Sequence, residues 1–383
     1  MAQIPCQRDA FDIPQDIAYL NCAYESPLSK AVAAAGQDGI REKVQPWNTF
    51  PEDFFTHPDE ARKLFGRIIN ADPEGVAIIP SVSYGTTAAI RNLPVEVGQE
   101  ILTLKDQFPS NIYPWRKLAS DAGATVRMLT RSTNGPTWGE VLVDAISDKT
   151  AIVGIPHCHW VDGAMVDLEA VSAKAKAHGA ALVLDITQSA GIMPIDVGAI
   201  QPDFAISACY KWLMGPYSIG FMWVHPKWRN GTPVEEAWIG RKGAVDFSRL
   251  VDYRDEYDEG ARRFDMGERA QFQLLPMASA GMQQLLDWGV ENIYETLSAR
   301  SEDVAARARD FGFRSLAVGD RAGHYLGLIH EDGLPEGLVK RLINHNVFVS
   351  VRGPSVRITP HLYVTNKDND RLMDALAKEL GSS

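Results

Sequence analysis

The chain has 383 residues, 45% hydrophobic and 23% charged, a globular composition long enough for two domains. Its formal net charge of −11 opposes phosphate backbones and argues against nucleic acid as a partner. The start has no basic stretch followed by an apolar run, and no window approaches the ~18 uninterrupted apolar residues of a membrane span, so a cytoplasmic protein without a membrane partner is expected.

From residue 75 short apolar runs alternate with helical patterns. Val76–Ile79 leads to a helix from Tyr84, and Ile101–Leu104 to a helix over Asn111–Asp121. Thr125–Leu129 precedes a helical pattern around Glu140–Ile146, and Ala151–Ile155 precedes Leu168–His178. Ala181–Leu184, Phe204–Ser207 and Ile219–Val224 close the series. Such alternation implies crossover connections and a mainly parallel sheet covered on both faces. After about residue 245 the texture changes. Two long helical patterns (Gln271–Trp288 and Asn292–Phe311) precede a short run (His324–Ile329), a helix (Glu336–Asn344), strands at Val347–Val351 and Val356–Thr359, and a last helix from Asp368. The expected division is an N-terminal segment (1–20) packing on the small domain, a large domain (21–250) and a small α+β domain (251–383). The aromatic stretch Pro46–Pro58, with Trp47, Phe50, Phe54 and Phe55, reads as core or interface packing or as a lining for a substrate entrance.

Several devices are missing: a GxG dinucleotide fingerprint, a phosphate-binding GK[ST] and a GxSxG nucleophile elbow. His157-Cys158-His159 has no third ligand near it in sequence, so no metal site is expected. The four cysteines, Cys6, Cys22, Cys158 and Cys209, form no CxxC pair and read as free thiols.

What remains is a lysine with a carboxylate. Ala181–Leu184 delivers Asp185 at its carboxyl end, where open α/β sheets bind ligands. The next run leads to Lys211 between Tyr210 and Trp212-Leu213-Met214. Apolar company strips hydration from an ammonium and makes the free amine easier to reach, which suits Schiff-base chemistry. A lysine alone reads more readily as a stem lying on apolar surface with its charge in water, paired with some carboxylate.

The surrounding block decides between these readings. Asp185-Ile-Thr-Gln188, Asp203-Phe204, Tyr210-Lys211, Gly215-Pro216 and Ile219-Gly220 together resemble the class V aminotransferase family of pyridoxal-phosphate (PLP) enzymes. That family includes cysteine desulfurases, kynureninase and isopenicillin N epimerase-like proteins, and the resemblance runs over nearly the whole chain. It implies an α/β fold of the fold-type I PLP-dependent transferase class and an imine between Lys211 and the cofactor. Asp185 would pair with the pyridinium nitrogen, and Gln188 would hydrogen-bond the phenolic oxygen. Gly85-Thr86-Thr87 resembles the phosphate cup at a helix start, with Tyr210 a second phosphate contact. The desulfurases of the family often carry Ser three residues before the lysine; here it is Ala208, with Ser207 as the alternative contact. Phe108 would stack on the ring. Arg357, with Thr359 and Tyr363 behind it, resembles the arginine that grips the substrate carboxylate bidentately. Asn21 and Ala23 would lie near that carboxylate, and Trp160 would shape the substrate side. Gly267 would reach the partner subunit's phosphate, which makes a homodimer the expected unit; Glu268 after it would point away or pair with Arg263 or Arg269.

The resemblance implies chemistry at the α carbon of a small-molecule amino acid, with Lys211 and Asp185 as the catalytic pair. An aminotransferase is the first expectation. A C–S or C–C lyase of kynureninase type, or an epimerase, is the alternative. Persulfide-forming desulfuration is argued down, because no cysteine lies between Gly289 and Ser383 to serve as the mobile thiol.

Overall fold

The computed structural model describes residues 3–132 and 135–381. In chain order its first half contains β1 (Ala18–Tyr19), α1 (Lys30–Val44), α2 (Asp53–Ile68), β2 (Val76–Ile79), α3 (Val82–Ile90), β3 (Glu100–Leu104), α4 (Tyr113–Ala122), β4 (Thr125–Leu129) and α5 (Trp138–Ala145). Then come β5 (Thr150–Pro156), α6 (Leu168–Ala177), β6 (Ala181–Asp185), α7 (Val197–Ile200), β7 (Phe204–Ala208) and β8 (Gly220–Val224). The C-terminal part holds α8 (Leu274–Trp288), α9 (Val290–Ala308), β9 (Phe313–Arg314), β10 (Leu326–His330), α10 (Leu338–Asn344), β11 (Val347–Phe348), β12 (Ser350–Arg352), β13 (Ser355–Ile358) and α11 (Asn366–Leu380). No helix among the described residues is long and apolar enough to cross a membrane.

Strands β2 to β8 form one seven-stranded sheet in the order β2-β8-β7-β6-β5-β3-β4. All pairs are parallel except those of β8, which runs against both β2 and β7. Apart from the edge strand β4, which is mostly exposed, the strands are largely apolar runs because both faces are buried. Leu102, Val153, Leu182 and Ala205 point to a core shared with α2, α5, α6 and α8, while Ile101, Ile152, Val183 and Ile206 point to a second core under α3 and α4. This topology sets the carboxyl ends of β2, β3, β5, β6 and β7 along one edge. A four-stranded antiparallel sheet, β12-β13-β10-β9, belongs to the C-terminal part, and β1 pairs in parallel with β11.

Besides the single turn α7, two helices have no counterpart in the sequence patterns. The buried positions of α1 are Val32, Gly36 and Gly39, too small to give an apolar rhythm. A side chain at Gly36 would strike Met277 of α8, and one at Gly39 would strike the Phe272 carbonyl, so these glycines exist for close approach. α2 begins inside the aromatic stretch and carries Pro58 within its first turns. Trp47 and Phe50 do not join the core of this chain: they are 72% and 59% exposed. Phe54 packs edge-on against Phe247 and Phe272.

Candidate active site

At the shared sheet edge a pocket is lined by Phe108, Trp160, Asp185, Gln188, Tyr210 and Lys211, among others. Each arrives from a strand end: Phe108 after β3, Trp160 after β5, Asp185 closing β6, Lys211 just past β7. Asp106, two residues before Phe108, holds a left-handed φ of 57°, and Met214, three after Lys211, one of 55°. Non-glycine residues held there cost about 1–3 kcal/mol each and cluster at functional sites.

Lys211 is 7% exposed. Its Nζ lies 5.4 Å from the ring centres of both Phe108 and Tyr210. Burial pulls its pKa down from 10.5 to about 8; Asp185 opposes that shift, while Arg357 and Arg352 assist it. Desolvation outweighs the nearby carboxylate, so a usable fraction of free amine exists near neutral pH. Asp185 is held from two sides. One carboxylate oxygen accepts the Thr187 N–H at 2.9 Å, and the other accepts the Asn111 amide. Thr187 then ties this turn to β7, its Oγ1 accepting the Ala208 N–H at 3.1 Å. Neither Asn111 nor Thr187 was singled out from sequence. The short Pro109–Asn111 turn after Phe108 was the only available hint.

Gln188 is more committed than expected. Its Oε1 accepts the Trp212 indole N–H at 2.7 Å, and its Nε2 donates to the Ala23 carbonyl at 3.3 Å. One amide hydrogen is left for any other acceptor, so Gln188 chiefly fixes the residue beside Lys211.

The Gly85-Thr86-Thr87 expectation is corrected. Helix α3 already begins at Val82, capped by the Ser81 hydroxyl accepting the Tyr84 N–H. Thr86 and Thr87 therefore sit in its second turn and donate back to the Val82 and Ser83 carbonyls at 3.0 and 2.7 Å. The Gly85 N–H is spent on the Ser81 carbonyl, and a side chain at Gly85 would strike Ile79 and Ile206. That glycine lets the helix settle on the sheet. The N–H groups of Val82 and Ser83 are the ones with no acceptor among the described residues, with Val82 lining the pocket. The signal was present in sequence: Ser81 follows Pro80 right after a strand, an N-cap one turn ahead of the more conspicuous Gly-Thr-Thr.

Other expectations are also adjusted. The buried Ser207 hydroxyl donates to the Ala208 carbonyl and is not among the residues lining the pocket. The Gly267 N–H donates to the Glu235 carboxylate at 2.8 Å. Glu268 pairs with neither nearby arginine: Arg269 binds Asp265, and Arg263 donates to Gly231 and Asn230.

Arg357, on β13, is 1% exposed. Its Nε and Nη2 both donate to the Ser350 hydroxyl at 2.9 and 2.7 Å, and its Nη1 to the Tyr325 hydroxyl and the Trp160 carbonyl at 3.1 and 3.2 Å. The Ser350 hydroxyl donates in turn to Asn21 Oδ1 at 2.7 Å. Asn21 bridges Thr359, and the Ala23 N–H donates to the Thr359 hydroxyl. The arginine is thus surrounded by neutral oxygens, and a bidentate grip requires Ser350 to yield its place.

The match to known proteins follows this geometry. The aminotransferase class-V family model covers residues 36–362. The chain belongs to that family. Members depend on pyridoxal phosphate, and this chain is a PLP-dependent enzyme that acts on an amino acid. It is 27% identical over 381 residues to an uncharacterised aminotransferase, YcbU, of Bacillus subtilis (strain 168), covering 98% of each chain. It is also 27% identical over 272 residues to kynureninase of Deinococcus radiodurans, covering 68% of this chain and 64% of that protein. Among solved structures, a mutant of C-DES with glycine covalently linked to its PLP cofactor gives a TM-score of 0.86 at 20% identity, covering 97% of this chain and 99% of that one. Apo cysteine desulfurase from Thermococcus onnurineus NA1 gives 0.83 at 18% identity over all of both chains. At such identities the likeness is one of fold.

Proposed function

We propose that this family member is an aminotransferase of the cytoplasm, working as a homodimer, with Lys211 as the cofactor's anchor and as the proton-moving base. The observation that carries the reading is Lys211 itself: a buried amine, pulled toward neutral pKa, facing an aromatic ring on one wall and a doubly held carboxylate on another. That donor set fits a planar, phosphate-bearing pyridine aldehyde. Asp185 holds a proton on the ring nitrogen, and Phe108 covers the ring. The Val82 and Ser83 N–H groups at the head of α3 take the phosphate, where the helix dipole favours an anion; Tyr210 flanks it. Arg357 orients the substrate by its carboxylate, with Asn21 and Ser350 setting the guanidinium plane. Gly267 is a contact toward the second subunit. When bound, the cofactor supplies an aldehyde that captures the substrate's amino group and a ring that draws electrons from the α carbon. Lys211 Nζ, as the free amine, would take the α proton as general base and return one as general acid.

Cysteine chemistry finds no support. Cys22, Cys158 and Cys209 are buried, and burial raises each thiol above its ordinary range; Cys6 is exposed at the chain start, hydrogen-bonded toward the Tyr363 carbonyl. The kynureninase match over two-thirds of the chain supports carbon–carbon or carbon–sulfur cleavage as a second reading. A panel of amino acids added to the PLP-loaded protein separates the two. Conversion of the cofactor to its pyridoxamine form, reversed by a keto acid, is expected. Release of pyruvate, sulfide or an aromatic acid without that conversion overturns transamination.

A further inference from the structure

Arg357 has a neighbour of the same kind. In the β12–β13 hairpin Ser350 faces Arg357 and Arg352 faces Ser355. Arg352 therefore lies two residues from Ser350, on the face that carries Arg357. Both guanidiniums rest over the Trp160 ring, 5.2 Å from its centre for Arg352 and 5.8 Å for Arg357. Trp160 in turn meets Phe108 edge-on at 5.3 Å, so the two cations stand behind one wall of the pocket.

Neither arginine has a carboxylate partner among the described residues, in a chain where acids outnumber bases 49 to 38. Other buried arginines here do: Arg8 with Asp368, and Arg62 and Arg269 with Asp265. Burying an unpaired cation is costly, and an arginine fork is matched to a carboxylate. Arg352 is also the less committed of the two. It is partly buried, and its one hydrogen bond among the described residues runs from Nη1 to the Val351 carbonyl at 2.7 Å, leaving Nε and Nη2 to donate elsewhere. One substrate α-carboxylate accounts for the buried Arg357. Arg352, only partly buried and with Nε and Nη2 uncommitted, is free to take a second anionic group.

We propose that the substrate is a dicarboxylic amino acid, its α-carboxylate on Arg357 and its side-chain carboxylate on Arg352, with the Trp160 ring as their common support. This rests on the aminotransferase reading of the same site. The test uses the PLP-loaded protein and a spectrophotometric titration with succinate and glutarate against propionate and butyrate. In the unmodified protein a dicarboxylate should bind about 10-fold or more tightly than the monocarboxylate of similar length, as expected for one added charge-assisted pair. Arg352→Gln should erase that preference, and Arg352→Lys should keep part of it. In turnover, Arg352→Gln should raise KM for L-aspartate or L-glutamate, whichever is the better substrate, about 10-fold relative to KM for L-alanine, with kcat changed less. Equal binding of the two acid classes overturns the proposal. So does an Arg352→Gln protein that weakens propionate as much as succinate, since Arg352 would then serve the α-carboxylate. In both cases a coloured protein that transaminates L-alanine leaves the functional reading standing. A protein that takes up no PLP overturns both.

Discussion

The two ends of this site are built differently. The lysine end stands on the carboxyl edge of a buried sheet, and its parts are tied by links within one stretch of chain from Asp185 to Trp212: Asp185 to the Thr187 N–H, Thr187 to Ala208, Gln188 to Trp212. The arginine end is gathered from Asn21, Trp160, Tyr325 and Ser350, which come from four separate stretches of chain: Ser350, Tyr325 and Trp160 accept from the guanidinium, Tyr325 also donates to Trp160, and Asn21 joins through Ser350. The lysine end balances opposite charges, whereas the arginine end holds positive charge against neutral oxygens alone. A cofactor that never changes needs the first kind of construction. A substrate that brings its own negative charge fits the second.

That contrast can be broken experimentally. The largest effect is expected at the lysine end. Asp185→Asn should lower kcat about 100-fold, since an amide cannot hold the charge on a protonated ring nitrogen; Asn111→Ala should lower it about 10-fold by releasing one carboxylate oxygen. Single-turnover rates with one amino acid measure both, and an Asn111→Ala protein with unchanged kcat would remove Asn111 from the account. Next is pH. Because Lys211 titrates near 8, capture of PLP by the apo protein should speed up about 10-fold per pH unit below that value and level off above it. The sign for stability follows. Between about 8 and 10.5 the unfolded chain holds a proton at this lysine that the folded chain lacks, so this group's contribution to apo stability improves as pH rises through that window. Lys211→Met should flatten both profiles, as stopped-flow absorbance and thermal melts would record.

The arginine end should respond more mildly. Ser350→Ala should raise KM about 3- to 10-fold with kcat little changed, because it frees Nε and Nη2 of Arg357 from their shared acceptor while removing what fixes the guanidinium plane. A lowered KM would mean that Ser350 only competes with the substrate. The smallest contrast lies within α3. Ser83→Ala should weaken PLP affinity about 3-fold by removing the Oγ that faces Ser81, whereas Thr86→Val should change it less than about 2-fold, its hydroxyl already being spent on Val82. Equilibrium dialysis of PLP decides between them.

The same contrast explains what could be read from sequence. The sheet strands were legible because burial on both faces makes them short apolar runs, and strands such as Val76–Ile79 and Phe204–Ala208 fall where those runs lie. Lys211, Asp185 and their neighbours were legible because one contiguous block carries them. Helix α1 was not, because glycines form its buried stripe. Helix α3 starts one turn before Gly-Thr-Thr, because the Ser81 side chain caps it at Val82. Ser350 and Tyr325 could not be read at all. Their roles depend on a hairpin register and on a strand far away in sequence, and neither leaves a local pattern.

The bond on which all of this depends is covalent, and borohydride reduction of the PLP-loaded protein followed by peptide mass mapping tests it most directly. A single phosphopyridoxyl adduct is expected on the peptide containing Lys211, absent in Lys211→Ala. An adduct on another lysine, or a PLP-saturated protein that yields none, would contradict it.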